Sequence, residues 1–164
     1  MAHHVRVLKA AYRITGSMAD AEDVAQTVFL RIAQGGSERA AMQNPESYLY
    51  RAGINAALDL LRRRQGENAV PLDEAEGAPH LRSNCGLPPN HESEADGLRS
   101  WLRQALAKLG PRAGEMFVLR YLEDFDNRAI ARMLKTSPAV VAVILYRTRS
   151  RLRHDFRTFM RGKR

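Results

Sequence analysis

The sequence predicts an all-α protein made of two small helical domains joined by a flexible acidic linker. Apolar residues recur at three- and four-residue spacing, and no segment alternates between apolar and polar residues as a half-buried strand would. An acidic stretch containing several prolines separates two basic segments. A length of 164 residues fits one domain or two small ones, and a hydrophobic content of 45% is sufficient for packed cores.

The charge distribution divides the chain into three parts. Residues 67–96 contain seven acidic residues and one basic residue, together with four of the seven prolines. This composition is typical of a flexible tether. We therefore predict a first domain at residues 1–66, a linker at 67–96 and a second domain at 97–164.

Three helices are predicted in the first domain. The first covers about Val5–Thr15 and ends at Gly16. The second covers Asp20–Gln34, with the Asp20 carboxylate as its N-terminal cap and a pair of glycines after its last residue. The third follows an Asn-Pro pair and covers about Glu46–Gln65.

Four helices are predicted in the second domain. Leu98–Leu109 carries apolar residues at helical spacing, and a second helix covers Pro111–Leu122. Asp126 caps a short helix that runs to Leu134, and Ser137 caps a long helix over Pro138–Arg153. The short and long helices have the proportions of a helix-turn-helix. The predicted buried stripe of the long helix comprises Val141, Ile144, Leu145, Leu152 and Phe156.

The composition limits the classes of partner and of chemistry that the protein can use. A formal net charge of +8 favours a polyanionic partner, most often nucleic acid and less often a membrane surface. The single cysteine excludes an internal disulfide, and no apolar run approaches the roughly 20 residues of a membrane span. We therefore predict a cytoplasmic protein without membrane insertion. His80, Cys85 and His91 lack zinc-site spacing, and we predict no metal, no cofactor and no catalytic residue.

One apolar residue of the second helix lies on its polar side. Helical steps of 100° place Leu30 in the middle of a face formed by Asp23, Gln26, Thr27 and Gln34. An apolar side chain in that position suggests a protein-contact surface. The alternative is an ordinary exposed leucine, which is common on protein surfaces.

The third helix carries a polar face. Arg51, Asn55, Asp59 and Arg62 follow one another at steps of four, four and three residues, and therefore lie on one side of the helix. Asn and Arg are the side chains that pair with base edges, and Arg also binds phosphate. The alternative is a solvated ladder of charged and polar side chains.

The long helix after the turn is strongly basic. Its C-terminal half contains Arg147, Arg149, Arg151, Arg153 and Arg157. This pattern fits DNA binding by a helix-turn-helix, and it also fits an ordinary helical hairpin with a solvated basic face.

Two stretches of the first domain carry a family resemblance. Ala21–Arg31 resembles the polymerase-binding helix of extracytoplasmic-function (ECF) sigma factors, in which the pattern is close to A-E-D-x-x-Q-x-x-F-L-R. Tyr48–Arg64 resembles the promoter-melting helix of the same family, with its N-x-x-x-D-x-x-R-R core. The second domain is similar to the other domain of that family in the segments Leu109–Arg112, Phe117–Arg120, Ala129–Ala131 and Arg147–Arg153.

The resemblance implies a dissociable subunit of bacterial RNA polymerase that directs transcription initiation. The partners it implies are core RNA polymerase, at its clamp helices and flap, promoter DNA and an anti-sigma factor. The implied polymerase-binding residues are Asp23, Gln26, Phe29, Leu30 and Arg31. The implied minus-ten residues are Arg51, Asn55, Asp59, Arg62, Arg63 and Arg64. The implied minus-thirty-five residues are Ser137, Ala139, Val143, Tyr146, Arg147 and Arg151.

Two further segments have implied roles. The loop at residues 35–44 would hold a base flipped from the melted strand, whose pairing edge is then readable. The acidic linker would lie near the RNA exit path of the polymerase, where its charge mimics nucleic acid.

The chain departs from the family pattern at three places. Its first helix is short, Ala129 replaces a glutamate before Ile-Ala, and the recognition helix opens with the apolar run Ala139–Leu145. The outward side chains of that run can contact thymine methyl groups or pack on a protein. Two alternatives therefore stay open, which are a stand-alone helix-turn-helix regulator and a sigma-like decoy or adaptor that binds a protein regulator.

Overall fold

The computed structural model of the chain describes residues 2–34, 45–67 and 94–162. These residues form seven helices without a strand, which confirms the predicted all-α class. The helices are α1 (Ala2–Thr15), α2 (Met18–Gln34), α3 (Pro45–Glu67), α4 (Glu94–Ala107), α5 (Pro111–Tyr121), α6 (Asn127–Met133) and α7 (Pro138–Arg161). Most of the predicted linker and the whole predicted base-binding loop at 35–44 lie outside the described residues.

Helices α1, α2 and α3 form a first module in which each helix packs on the other two. Gly16 ends α1 as predicted, with a positive φ of 72° that a residue with a side chain adopts rarely. The predicted cap of α2 is wrong. The helix begins at Met18, and the hydroxyl of Ser17 accepts the Asp20 backbone N–H at 3.3 Å, because Ser17 precedes the first turn.

Helices α4 to α7 form a second module. α5 packs on α6 and α7, and α4 packs on α7, where Trp101 contacts Phe156 with ring centroids 5.0 Å apart. Val141, Leu145 and Leu152 are buried as predicted, whereas Ile144 and Phe156 are half-buried. α7 also extends to Arg161, eight residues beyond the predicted end.

The two modules pack directly on each other. α3 contacts both α4 and α5, and a single hydrophobic cluster contains buried residues of both modules. Leu58 of α3 and Met116 of α5 are both fully buried in it. α3 is therefore the central helix of the described structure, and its position decides which of its side chains are accessible.

No individual helix within the described ranges is long and apolar enough to cross a membrane. α6 and α7 meet that criterion only as a pair, and they are bent by 108° at the turn between them.

Candidate polymerase and nucleic-acid interfaces

The outer side of α2 exposes an apolar residue among polar ones. Leu30 is 51% exposed, and Asp23, Gln26 and Arg31 beside it are also exposed. The opposite side of the helix is buried, through residues such as Val24 and Val28. We call Asp23, Gln26, Leu30 and Arg31 the Leu30 surface. A large apolar side chain that the fold does not bury is available for a protein contact.

Phe29 occupies a different position from its neighbour Leu30. It is half-buried, and its ring lies against His4 of α1 with centroids 5.3 Å apart. Of the five predicted polymerase-binding residues, Phe29 therefore has the smallest exposed fraction, and it supports the α1–α2 packing.

The polar face of α3 is turned toward the second module. Arg51 Nε donates to Glu115 Oε1 at 2.7 Å, and Asn55 Nδ2 donates to the same oxygen at 3.2 Å. Arg51 Nη1 also donates to the Met133 carbonyl at 3.0 Å. The side chain of Glu115 is only 6% exposed. Two of the predicted minus-ten residues are thus hydrogen-bonded to one buried carboxylate, and the solvated ladder considered from the sequence is not formed there.

The same face continues with Asp59 and Arg62. Arg62 Nη1 donates to Asp59 Oδ1 at 2.5 Å, and its Nη2 donates to the Leu109 carbonyl at 3.2 Å. The Leu109 carbonyl lies just before α5. Arg62 therefore takes part both in an ion pair within α3 and in a hydrogen bond to the second module.

The last two predicted minus-ten arginines differ from each other. Arg63 is exposed, whereas Arg64 forms a two-fold ion pair with Asp20, with both N–O distances at 2.6 Å. The Asp20 side chain is 11% exposed, so Arg64 neutralises a largely buried carboxylate of α2. This pair fastens the end of α3 to the beginning of α2.

A second carboxylate of the second module contacts the first module. Glu123, which follows α5 and has an 8% exposed side chain, accepts from Arg13 Nη1 at 3.0 Å and from the hydroxyl of Tyr50. Burial and the hydrogen bond to Glu123 raise the pKa of Tyr50 well above its ordinary value. Tyr50 therefore stays a neutral hydrogen-bond donor at physiological pH.

The turn between α6 and α7 is built by two caps. Asp126 accepts the Ala129 backbone N–H at 2.6 Å, and Ser137 accepts that of Val140 at 3.3 Å, which confirms both predicted caps. Lys135 adopts a φ of 49° in the turn. These features fix a sharp bend of 108° between α6 and α7, which is the arrangement of the two helices in a helix-turn-helix.

The outward side of α7 is open to solvent. All six predicted minus-thirty-five residues are exposed, and Tyr146 reaches 74%. Val143 is a large exposed apolar residue near it. The first turns of α7 thus present apolar contacts, and Arg147 and Arg151 add positive charge along the helix.

Sequence reasoning missed Glu115 and Glu123. Glu115 is an isolated acid beside the buried Met116, and Glu123 is the first of three acids with Asp124 and Asp126. A helical wheel does not show which helix either of them contacts. Gly114 was the available signal, because a glycine inside a helix is unfavourable unless a close approach requires it. A Cβ atom there would lie 3.2 Å from Leu58 Cδ1. His80, Cys85 and His91 lie outside the described residues.

Comparisons with known proteins agree with this architecture. Residues 1–67 match the family model described as Sigma-70 region 2, and residues 99–152 match the one described as Sigma-70, region 4. Two helical modules, one of them a helix-turn-helix, thus define a sigma factor of the sigma-70 type that retains regions 2 and 4.

Similarity to curated relatives indicates which group of sigma-70-type factors the chain resembles. The chain is 30% identical over 139 residues to the RNA polymerase sigma-E factor of Streptomyces antibioticus, covering 85% of this chain and 72% of that protein. It is 23% identical over 156 residues to the ECF RNA polymerase sigma factor SigW of Bacillus subtilis, with coverage of 93% and 83%. It is 26% identical over 164 residues to the ECF factor SigG of Mycobacterium tuberculosis, covering 89% of this chain and 44% of that relative.

The chain belongs to the ECF family of RNA polymerase sigma factors. Its role is that of a sigma factor in transcription initiation, which involves binding of core RNA polymerase and promoter DNA. These matches do not favour the stand-alone regulator or the decoy considered from the sequence.

Proposed function

We propose that the Leu30 surface of α2, together with Phe29, binds the clamp helices of core RNA polymerase. The observation that supports this assignment is the exposure of Leu30 between charged and amide side chains. A central apolar anchor with a polar rim is the usual arrangement of a protein-binding hot spot.

The test is Leu30→Glu, with Met18→Glu as a matched control. Met18 is 52% exposed on the same helix, and a carboxylate in the first turn is favourable for the helix dipole. We expect Leu30→Glu to raise the Kd for purified core polymerase by roughly 30-fold, since a hot-spot side chain contributes about 2 kcal/mol. Helix content should stay unchanged in both variants. Equal Kd values for the two variants would refute the assignment.

We further propose that α3 contacts the minus-ten element. The assigned residues are Arg51, Asn55, Asp59, Arg62, Arg63 and Arg64, and the loop at 35–44 would hold the flipped base. Arginine and asparagine supply both phosphate contacts and base-edge hydrogen bonds. Mapping transcript starts on a promoter-rich template with core polymerase tests the whole function, because defined starts require both polymerase binding and promoter recognition.

The outward side of α7 is assigned to the minus-thirty-five element. Ser137, Ala139, Val143, Tyr146, Arg147 and Arg151 carry this proposal, with Arg147 and Arg151 as phosphate contacts. The apolar side chains would contact thymine methyl groups. The flap of the polymerase would support this module on the upstream DNA.

The remaining features complete the proposal. The chain acts as a non-catalytic subunit in the cytoplasm without membrane insertion, and the polymerase supplies the chemistry. Residues 1–66 and 97–164 are its two domains, residues 67–96 connect them, and an anti-sigma factor controls their availability. Weak binding to free DNA that falls steeply with salt is expected, because most contacts are to phosphates.

A further inference from the structure

Three of the α3 side chains assigned to promoter DNA, Arg51, Asn55 and Arg62, are hydrogen-bonded to the second module. We define the α3 polar face as Arg51, Asn55, Asp59 and Arg62. We propose that the free chain adopts a self-masked form, in which Glu115 and Glu123 of the second module hold that module over the α3 polar face and exclude nucleic acid from it. This inference rests on the proposed DNA role of α3.

At the α3 polar face, Glu115 occupies the place of a nucleic-acid acceptor. Glu115 accepts from Arg51 Nε at 2.7 Å, from Arg51 Nη2 at 3.4 Å and from Asn55 Nδ2 at 3.2 Å. A carboxylate that receives a guanidinium fork and an amide N–H takes the place that a phosphate or a base acceptor would take. The same donors cannot serve Glu115 and DNA at once.

Both carboxylates are buried. The side chains of Glu115 and Glu123 are 6% and 8% exposed, and their donors belong to the first module. A buried carboxylate without a partner is strongly unfavourable, so each depends on the other module for its charge compensation. The modules are therefore held together by paired charges at two separate points.

The two modules also share an apolar contact. Leu58 and Met116 are fully buried in the shared cluster, and Gly114 allows α5 to approach α3 closely. This approach places α5 directly over the α3 polar face. Masking thus follows from packing and charge together.

The masking is selective. The Leu30 surface on α2 and the outward side of α7 stay exposed, whereas Arg51, Asn55 and Arg62 of the α3 polar face are half-buried against the second module and Asp59 at its edge stays exposed. Core polymerase can therefore bind the masked chain through α2. Promoter melting through α3 requires that the second module move away first.

The experiment measures the distance between the modules in the full chain without polymerase. Spin labels are attached at Lys9→Cys on α1 and Arg153→Cys on α7, both exposed positions, after Cys85→Ser removes the natural thiol. Double electron–electron resonance should give one narrow distance. Glu115→Gln with Glu123→Gln should broaden and lengthen it, whereas Asp124→Asn with Asp126→Asn should not.

This control removes the same two charges from exposed positions of the same module. Asparagine preserves both the cap at Asp126 and the positive φ of 57° at Asp124. A second opening variant, Arg13→Gln with Tyr50→Phe, breaks the Glu123 contact from the first module. It provides an independent test if the double glutamate variant does not fold. Circular dichroism checks the helix content of every variant.

The companion measurement is the anisotropy of a short fluorescein-labelled single-stranded DNA. The double glutamate variant should bind about tenfold more tightly than the charge-matched control, since hydrogen bonds to charged groups stabilise the masked form. Arg13→Gln with Tyr50→Phe removes a positive charge and should nevertheless bind more tightly than wild type. If non-specific electrostatic attraction alone determined the affinity, loss of a positive charge would weaken DNA binding instead.

An unchanged distance in both opening variants would overturn the inference, and so would a distance change without tighter DNA binding. Failure of the proposed function gives a different signature, which is the absence of defined transcript starts with wild-type chain and core polymerase. The two failures are distinguishable because the distance measurement involves no polymerase and the transcript mapping involves no variant.

Discussion

Gly53 allows the closest approach of α1 and α3, and its replacement by alanine tests the packing of the first module. A Cβ atom at position 53 would lie 2.7 Å from Cγ1 of Val7, where ordinary contact begins at 3.4 Å. Val7 must therefore retreat by the difference, about 0.7 Å. Val7 is almost fully buried and β-branched, so it has few alternative rotamers.

Two opposing effects determine whether Gly53→Ala lowers or raises the free energy of unfolding. Alanine is about 1 kcal/mol better than glycine in a helix interior, and overpacking a filled core is unfavourable by about 1–3 kcal/mol. We expect Gly53→Ala to lower the free energy of unfolding by about 1 kcal/mol, which corresponds to a fall in Tm of about 2–4 °C. Urea and thermal unfolding followed by circular dichroism measure both quantities.

Two variants check the reasoning. Gly66→Ala has no atom within 4 Å of its new Cβ and should raise stability by a few tenths of a kcal/mol. Val7→Ala removes the methyl groups that obstruct position 53, so Gly53→Ala should become stabilising in that background. If Gly53→Ala stabilises the wild-type chain as much as the Val7→Ala chain, the close approach of α1 and α3 is not a packing constraint.

Three further sets of substitutions test the cap of α7, the ion pair between α3 and α2, and the arginines at the end of α3. Ser137→Ala should lower the free energy of unfolding by about 1 kcal/mol in a urea titration through loss of the α7 cap, and Ser137→Asn should retain most of it. Arg64→Ala should lower it by about 1–2 kcal/mol because it strands the largely buried Asp20, whereas Arg63→Ala should leave it unchanged. Replacing Arg62 and Arg63 together with alanine should reduce promoter opening, measured by permanganate reactivity of unpaired thymines, more than it reduces binding to core polymerase; the reverse order would contradict the melting role.

The sequence predicted the helices well because their signals are local. Gly16, Asp126 and Ser137 mark helix ends through backbone conformation and capping, and both act within one turn. The exception is Asp20, which looks like a cap and instead pairs with Arg64, forty-four residues away. A carboxylate near the start of a helix satisfies either role, and only the fold determines which partner it meets.

The exposed surfaces were also accessible to sequence reasoning. Leu30 interrupts a polar face, and Val143 and Tyr146 lie outside the buried stripe of the long helix, so both features are visible in the periodic pattern of the chain. The contact of the second module with α3, by contrast, could not be predicted from the sequence. Arg51 and Asn55 form a regular polar face, and nothing in their spacing specifies that Glu115, sixty residues later, would cover them.

The position of Glu115 and Glu123 ties the release of the α3 polar face to the helix-turn-helix. α5 packs on both α6 and α7, and Glu123 follows α5 after its C-terminal cap residue, Leu122. When the second module moves as one body, both carboxylates leave the first module together with α7. Engagement of α7 by upstream duplex DNA on the polymerase would then draw away the acidic side chains that mask α3. Under the self-masking proposal, recognition of the upstream element and access to the minus-ten element are therefore coupled through α5, although different helices are assigned to the two elements.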